Sequence, residues 1–90
     1  MEPDEVSWLR ANKHRIVVGT SDEGLAMFTF DDREVEDTLH DYLEEVLEGS
    51  LGDTWIIDSE DHASGVWSRQ RIFRDPQVTP AQLQGVLDRI

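Results

Sequence analysis

Residues 58–62 concentrate side chains that could bind a metal ion or transfer protons. Within five positions they offer three carboxylates and one imidazole, from Asp58, Glu60, Asp61 and His62. Hard cations such as calcium need about six to eight oxygen ligands in a defined geometry. The EF-hand pattern of alternating acids with a central glycine is absent. We interpret the segment as a polar hairpin tip and keep a metal-binding or enzymatic role there as a minor alternative.

Other signatures of catalysis are missing from the sequence. The histidines His14, His40 and His62 are scattered and form neither an H-E-x-x-H motif nor an i,i+4 pair. The serines show no nucleophile-elbow pattern, and the glycines form no phosphate-binding loop. Without cysteine there is no thiol nucleophile and no Cys-ligated zinc. We predict a protein that is not an enzyme, with no catalytic residue, no metal site and no cofactor.

The distribution of acidic residues indicates a different chemistry, the recognition of positive charge. The chain carries 20 Asp and Glu against 8 Lys and Arg, for a net charge of -12. Residues 31–61 hold 13 of the acids and a single base, Arg33, so this window alone carries -12 (1 minus 13). Residues 62–90 are net +2 (4 bases minus 2 acids). The negative charge is therefore concentrated on one part of an otherwise nearly neutral chain.

A helix predicted over about residues 32–48 would place these acids on one side. At about 100° per residue the apolar side chains share one face, and we predict that the opposite face binds a partner. That face holds Glu34, Asp37, Asp41, Glu44, Glu45 and Glu48. Glu36 is an exception because it falls within the apolar arc, and we expect it to reach outward from the boundary. His40 lies at the edge of the apolar stripe, within reach of Glu36 or Glu44.

Two explanations compete for this acidic face. Acids solvate an exposed helix face well, and a domain from a halophilic organism would need no other reason for them. However, like-charge pairs such as Asp37–Asp41 disfavour a helix by about 0.2–0.5 kcal/mol each. Glu44, Glu45 and Glu48 also lie at the end where the helix dipole disfavours acids. Local stability does not explain these three, and a basic partner would.

The sign of the charge restricts the kind of partner. Direct binding to nucleic acid or to an anionic membrane is disfavoured by long-range repulsion. A basic protein surface fits, such as that of a nucleic-acid-binding protein or a nuclease. The main hypothesis is thus a small acidic binding protein of the inhibitor, immunity-protein or DNA-mimic type. The alternative is an ordinary small domain whose acids serve solvation in a salt-rich cytoplasm.

A second candidate interface lies on the strand predicted over residues 66–73. Alternation places four residues on one face of it, Trp67, Arg69, Arg71 and Phe73. Aromatic residues and arginines are typical of interface hot spots. We favour the alternative that the two arginines pair internally, with acids of a neighbouring strand or with the two aromatic rings.

The elements that position these residues predict a small single α+β domain over residues 1–90. Residues 1–13 form a short helix or a loosely held arm. Strands over 14–19 and 25–30 form a hairpin, and strands over 53–57 and 66–73 form another across the polar loop 58–65. The (α)-ββα-ββα order predicts a four-stranded, mainly antiparallel sheet with the helices packed on one face. Its uncovered face or a hairpin edge is compatible with a homodimer.

Capping patterns mark the starts of the two main helices. Asp31 as N-cap with Glu34 three residues later matches a capping box, and Phe30 with Val35 matches a hydrophobic staple. A second box is predicted at Thr79 and Gln82, with proline between them at the first helical position. The sequence shows neither a signal-peptide pattern nor an apolar run of about 18 residues. We therefore predict a cytoplasmic protein.

Overall fold

The computed structural model describes residues 2–46, 54–61 and 66–90, with the backbone alone for 46, 54–61 and 66. The radius of gyration is 12.9 Å, close to the roughly 12 Å expected of a compact chain of this length. The elements, in chain order, are α1 (Pro3–Asn12), a 3₁₀ turn (Lys13–Arg15), β1 (Val17–Thr20), β2 (Ala26–Phe30), α2 (Arg33–Val46), β3 (Thr54–Asp61), β4 (Val66–Phe73) and α3 (Pro80–Asp88). The prediction of a small α+β domain with an antiparallel sheet is confirmed.

The sheet is built outward from β2. Strand β1 pairs antiparallel with one edge of β2, and β4 pairs antiparallel with the other. Strand β3 pairs with the far side of β4, giving the order β1-β2-β4-β3. The tight β1–β2 turn requires a residue with positive φ, which Gly24 supplies at 83°.

Two strand boundaries differ by more than one residue from those predicted. The strand predicted from residue 14 begins at Val17, because Lys13–Arg15 forms a 3₁₀ turn. The strand predicted over 53–57 continues to Asp61, opposite Val66. Residues 58–61 were expected to open the polar loop and lie in β3 instead. Residues 62–65 of that loop, including His62, fall outside the described part of the chain.

One face of the sheet carries the core. In β2 the alternate residues Ala26, Phe28 and Phe30 are buried, whereas Met27 and Thr29 between them are half-exposed. The same hydrophobic cluster takes in one residue from α1 and three each from α2 and α3, namely Leu9, Val35, Leu39, Leu43, Leu83, Val86 and Leu87. All three helices therefore cover the same side of the sheet. None of the helices in the described part of the chain has the length and apolar content needed to cross a bilayer.

The N-cap of α2 is Asp32, one residue later than predicted. Its Oδ1 accepts hydrogen bonds from the backbone N–H groups of Glu34 (2.9 Å) and Val35 (3.1 Å). Both acids at the helix start are suited to capping, and the backbone turn selects the second. Because Asp32 is the cap, Glu34 is not at the third helical position and the predicted capping box does not form there. The second box is confirmed, since Thr79 and Gln82 exchange both reciprocal hydrogen bonds.

Helix α1 is fastened to the end of α3. Arg10 Nε donates to the carbonyl oxygen of Ile90 (3.0 Å), and Lys13 Nζ donates to that of Leu87 (2.9 Å). The last carbonyls of a helix have no partner within it, and cations complement the negative end of its dipole. The described part of the predicted segment 1–13 thus holds a docked helix, Pro3–Asn12, rather than a loose arm.

Candidate protein-binding surface on helix α2

The outward face of α2 carries a row of exposed carboxylates. Its described members are Glu34, Asp37, Asp41, Glu44 and Glu45, all exposed. Glu48, the sixth predicted member, lies outside the described residues. The opposite face of the helix is fixed on the core by Val35, Leu39 and Leu43, each about 1% exposed. This amphipathic division holds the carboxylates on one side of a well-anchored helix.

Glu36 lies inside the core, so the expectation that it would reach outward is wrong. Its side chain is fully buried. Its Oε1 accepts hydrogen bonds from Arg71 Nε (2.9 Å), Arg71 Nη2 (2.8 Å) and Arg69 Nη1 (3.2 Å). Two guanidinium groups from the sheet below make burial of this carboxylate tolerable. Burial by itself raises the pKa of Glu36, but the hydrogen bonds from Asp37, Arg71 and Arg69 outweigh it and the pKa is lowered.

Asp37 and Glu36 share a proton-dependent contact. Glu36 Oε2 is buried and finds no donor when both carboxyl groups are ionised. A protonated Asp37 can donate to the Glu36 carboxylate, and this hydrogen bond is the main reason that the pKa of Asp37 is raised. Burial and the negative charge of Glu36 add to the effect, against the attraction of Arg69 and Arg33. In the acidic row, the ionisation of Asp37 therefore depends on its contact with the buried carboxylate of Glu36.

Trp67, in strand β4, is a further link between α2 and the sheet. The guanidinium carbons of Arg33 and Arg69 each lie 5.5 Å from the centroid of a Trp67 ring, within cation–π range. Arg33 comes from the start of α2 and Arg69 from β4. The only base in the acidic window is thus held against an aromatic ring.

The second candidate interface lies on the covered face of the sheet. In register, Arg71 is opposite Phe28 and Arg69 opposite Phe30, the two buried phenylalanines of β2. Arg71 and Phe73 are buried, and Trp67 packs against the core. The arginines pair internally, with a helix carboxylate that the sequence did not suggest as their partner. These four residues support α2 and are not presented together to a partner.

His40 and two acids of α2 form a small polar cluster. His40 Nε2 lies 3.0 Å from Glu44 Oε1, the contact considered for it from the sequence. With Asp41, these residues place one potential ligand atom each within 4.8 Å of one another. His40 Nδ1 is buried without a partner, whereas a metal-binding imidazole normally donates its other N–H to an acceptor. We therefore treat the cluster as part of the acidic face.

Helix α1 adds acids that sequence reasoning did not include in the site. It packs beside α2, and Asp4, Glu5 and Trp8 join Glu34 and Thr38 around a surface hollow of about 200 Å³. Asp4 and Glu5 are exposed. Their position in the first turn of a helix was visible in the sequence, but the packing of α1 on α2 was not. The acidic surface, defined here as the exposed acids of α2 with Asp4 and Glu5, thus spans two helices.

Comparison with known proteins adds no relative. No protein-family model matches this chain, and none of the curated proteins or solved structures matches it significantly.

Proposed function

We propose that this is a small non-enzymatic binding protein, acting in the cytoplasm, which docks its acidic surface on a basic protein. The proposal takes the fold in its full predicted form, a four-stranded sheet with the acidic helix on its covered side. Five exposed carboxylates of α2, with two more from α1, would meet the partner. Such a surface attracts a positively charged protein over distance and orients its approach.

The proposal is carried by one observation, that most Lys and Arg side chains make contacts within the fold. At least six of the eight Lys and Arg residues make contacts within the fold. Arg10 and Lys13 donate to the backbone carbonyls of Ile90 and Leu87, Arg15 bridges Asp31 and Asp32, Arg33 stacks on Trp67, and Arg69 and Arg71 hold Glu36. Among the described residues, Glu34 and Asp41 have no basic partner. Most of the positive charge is therefore used within the fold, and within the described part of the chain Glu34 and Asp41 of the acidic surface are left without a Lys or Arg partner.

The spacing of the acids favours a partner that normally binds nucleic acid. From Glu34 to Glu45 the helix rises by roughly 16 Å at about 1.5 Å per residue, and five acids occupy that length. This is about one charge per 4 Å, comparable to the roughly 3.4 Å rise per phosphate along one DNA strand. A protein surface built to follow a phosphate backbone would find a similar charge density here.

The experiment compares two triple variants with the same change in net charge. In the first, Glu34→Gln, Asp41→Asn and Glu44→Gln remove charge from the acidic surface. In the control, Glu23→Gln, Asp75→Asn and Asp88→Asn remove it from exposed sites elsewhere and keep the hydrogen-bond acceptors of the two aspartates. Proteins captured from host lysate by the wild type would be identified, and their dissociation constants measured with all three forms at several salt concentrations.

We expect a basic partner that binds the wild type and the control alike and binds the first variant at least tenfold more weakly. The difference should shrink as salt shortens the Debye length below about 10 Å. Equal loss in both variants would attribute binding to net charge alone. Failure of the wild type to retain any basic protein at low salt would overturn the proposal.

Solvation in a salt-rich cytoplasm remains the second candidate, and one observation favours it. Exposed acids also occur away from α2, among them Glu2, Asp22, Glu23, Asp75 and Asp88. Under this alternative both triple variants would reduce the salt needed for folding. The wild type would unfold at low salt and recover in molar salt, with no partner bound. A metal-binding or enzymatic role at residues 58–62 is third, and a metal titration that leaves the thermal midpoint unchanged would dismiss it.

A further inference from the structure

Helix α3 and the end of strand β4 border an apolar hollow of about 360 Å³ on the surface of the domain. Its walls are apolar side chains that belong to the hydrophobic core or pack against it, namely Phe73, Val78, Leu83 and Val86. Small-molecule sites in proteins are mostly apolar and have volumes of roughly 300–1,000 Å³. The hollow therefore has the size and the lining of a site for a small ligand.

Arg89 is the one charged residue that lines the hollow, among the residues that the structure describes. The chain has 20 acidic residues against 8 basic ones, so a lining without a described acid is unusual for this protein. The neighbouring Asp88 is engaged elsewhere, since its Oδ1 accepts a hydrogen bond from Gln84 Nε2 (3.1 Å). The charge presented by the walls of the hollow is thus positive.

Arg89 also differs from the other bases in how it is used. Each of the other Lys and Arg side chains makes a hydrogen bond, an ion pair, a ring contact or another electrostatic interaction. Within the described part of the chain, the exposed side chain of Arg89 makes none of these. A guanidinium group can bind a carboxylate through two parallel hydrogen bonds. The unpaired base is therefore complementary to an anionic group placed at the hollow.

A glycine in the interior of α3 keeps the hollow open. Gly85 lines it and lies within the helix Pro80–Asp88, where glycine is less stable than alanine. A Cβ atom added at this position would meet no other atom within 4 Å. The packing of the domain does not require glycine here, and the missing side chain leaves room for a ligand.

From the apolar walls, the unpaired guanidinium and the open position at Gly85, we propose that this hollow binds a small amphipathic carboxylate. The apolar body of the ligand lies against Phe73, Val78 and Val86, and Arg89 binds its carboxylate. A singly charged head group suits the site better than a phosphate, because the net charge of -12 repels a second negative charge. No residue of the acidic surface lines the hollow, so the proposal does not rest on the function proposed for that surface.

A titration with hexanoate, followed by heteronuclear NMR, tests the site. We expect saturable shifts of the backbone amide signals of α3 residues that border the hollow. Hexanol has the same chain without the charge, and hexylammonium reverses the charge. Both should bind about fivefold more weakly than hexanoate or worse, because the hydrogen bonds between two charged groups are lost.

Substitution of Arg89 tests recognition of the carboxylate. Arg89→Gln should reduce the affinity for hexanoate to that for hexanol. Ser7→Asp is the matched control, because it makes the same change in net charge at an exposed position of α1. It should leave hexanoate binding unchanged, and equal weakening in both variants would attribute the effect to net charge and overturn the role of Arg89.

Substitution of Gly85 tests the apolar part of the hollow. Gly85→Leu should fill the hollow and remove the saturable response to hexanoate. Gln84→Leu is its control, since it adds the same side chain to α3 at a residue that does not line the hollow. Circular dichroism would verify that both variants are folded.

Three results would overturn the proposal. They are the absence of saturable shifts with hexanoate, equal affinities for hexanoate and hexanol, and unchanged binding in Gly85→Leu. Equal affinities would mean that the hollow is an apolar surface without anion recognition, suited to a side chain of a protein partner. None of the substitutions changes an acid of α2, so this outcome is separate from that of the partner-binding experiment.

Discussion

Glu36 Oε1 accepts two hydrogen bonds from Arg71, at 2.9 Å from Nε and 2.8 Å from Nη2, in the interior of the domain. The pair joins the acidic helix to the sheet beneath it. A buried pair of this kind costs desolvation, so it is not a large net source of stability, but removing one partner leaves the other charge unmatched. The helix that carries most of the acidic surface is thus joined to the sheet through Glu36, its buried acid, in addition to its apolar contacts with the core.

Glu36→Gln should lower the free energy of unfolding by about 3 kcal/mol, because Arg71 would remain buried without a countercharge. For a domain of this size the thermal midpoint should fall by roughly 12–24 °C. Thermal unfolding followed by circular dichroism measures the change. The control is Glu36→Leu combined with Arg71→Met, which removes both buried charges, leaves only the partly exposed Arg69 of this network and should recover most of the loss. A loss below about 1 kcal/mol in Glu36→Gln would contradict the buried pair.

The pH dependence of stability should report the ionisation of Glu36. Its pKa in the folded protein lies below the ordinary value of 4.5. A group with a lowered pKa contributes stability that is fully present above its unfolded value and lost as pH falls through its folded value. Stability should therefore fall between about pH 5 and the folded pKa. In the double variant Glu36→Leu with Arg71→Met, this loss of stability in acid should vanish. Identical pH profiles of stability for the wild type and the double variant would refute the assignment to Glu36.

Asp37→Asn should stabilise the protein at neutral pH. The pKa of Asp37 is raised above its ordinary 3.8, so its contribution to stability is present below that value and is lost as pH rises through the folded value. An asparagine donates permanently to the Glu36 carboxylate without adding charge. We expect a gain of about 0.5 kcal/mol at neutral pH, small because Asp37 is exposed, and a smaller gain in acid.

Asp41→Asn is the control for this effect. It removes the same charge from the same helix face, but no contact with Glu36 is involved. Chemical denaturation of both variants separates the two causes. Equal gains would mean that relief of general repulsion, rather than the Asp37–Glu36 contact, explains the result.

The N-cap of α2 can be assigned by substitution. Asp32→Ala should cost about 1 kcal/mol, because two backbone N–H groups lose their acceptor. Asp31→Ala should cost clearly less, since Asp31 accepts from neither. Both acids contact Arg15, at 3.3 Å for Asp31 and 3.5 Å for Asp32, so the ion-pair losses are similar and the difference isolates the cap. Equal losses of stability in Asp31→Ala and Asp32→Ala would contradict the assignment of Asp32 as the N-cap.

Local patterns in the sequence predicted local structure well. The capping box at Thr79 needs only four consecutive residues, and the structure has it as predicted. The predicted cap of α2 was wrong by one residue: the capping-box pattern pointed to Asp31, but Asp32 is equally suited to N-capping and accepts the two hydrogen bonds. Alternation along β2 placed Phe28 and Phe30 on one face, and both are buried.

Contacts between distant parts of the chain could not be predicted in the same way. Helical periodicity placed Glu36 correctly on the apolar face of α2, but its partner Arg71 is 35 residues away in the sequence. Only the pairing of β2 with β4, which puts Arg71 opposite Phe28, brings them together. A signal was present nonetheless: one acid on an apolar helix face and two arginines on an aromatic strand face could have been matched. The addition of Asp4 and Glu5 to the acidic surface likewise depended on helix packing.

The two hydrogen bonds that tie the N-terminal helix to the C-terminal end of the chain have a consequence for how the protein folds. Arg10 and Ile90 are 80 positions apart in the sequence, and Lys13 and Leu87 are 74 positions apart. Closing so large a loop is entropically costly and is rewarded only once the intervening sheet has formed. We therefore expect α1 to dock last, after the hairpins and α2 are in place. The acids that α1 contributes would then arrive as the final step in assembling the acidic surface.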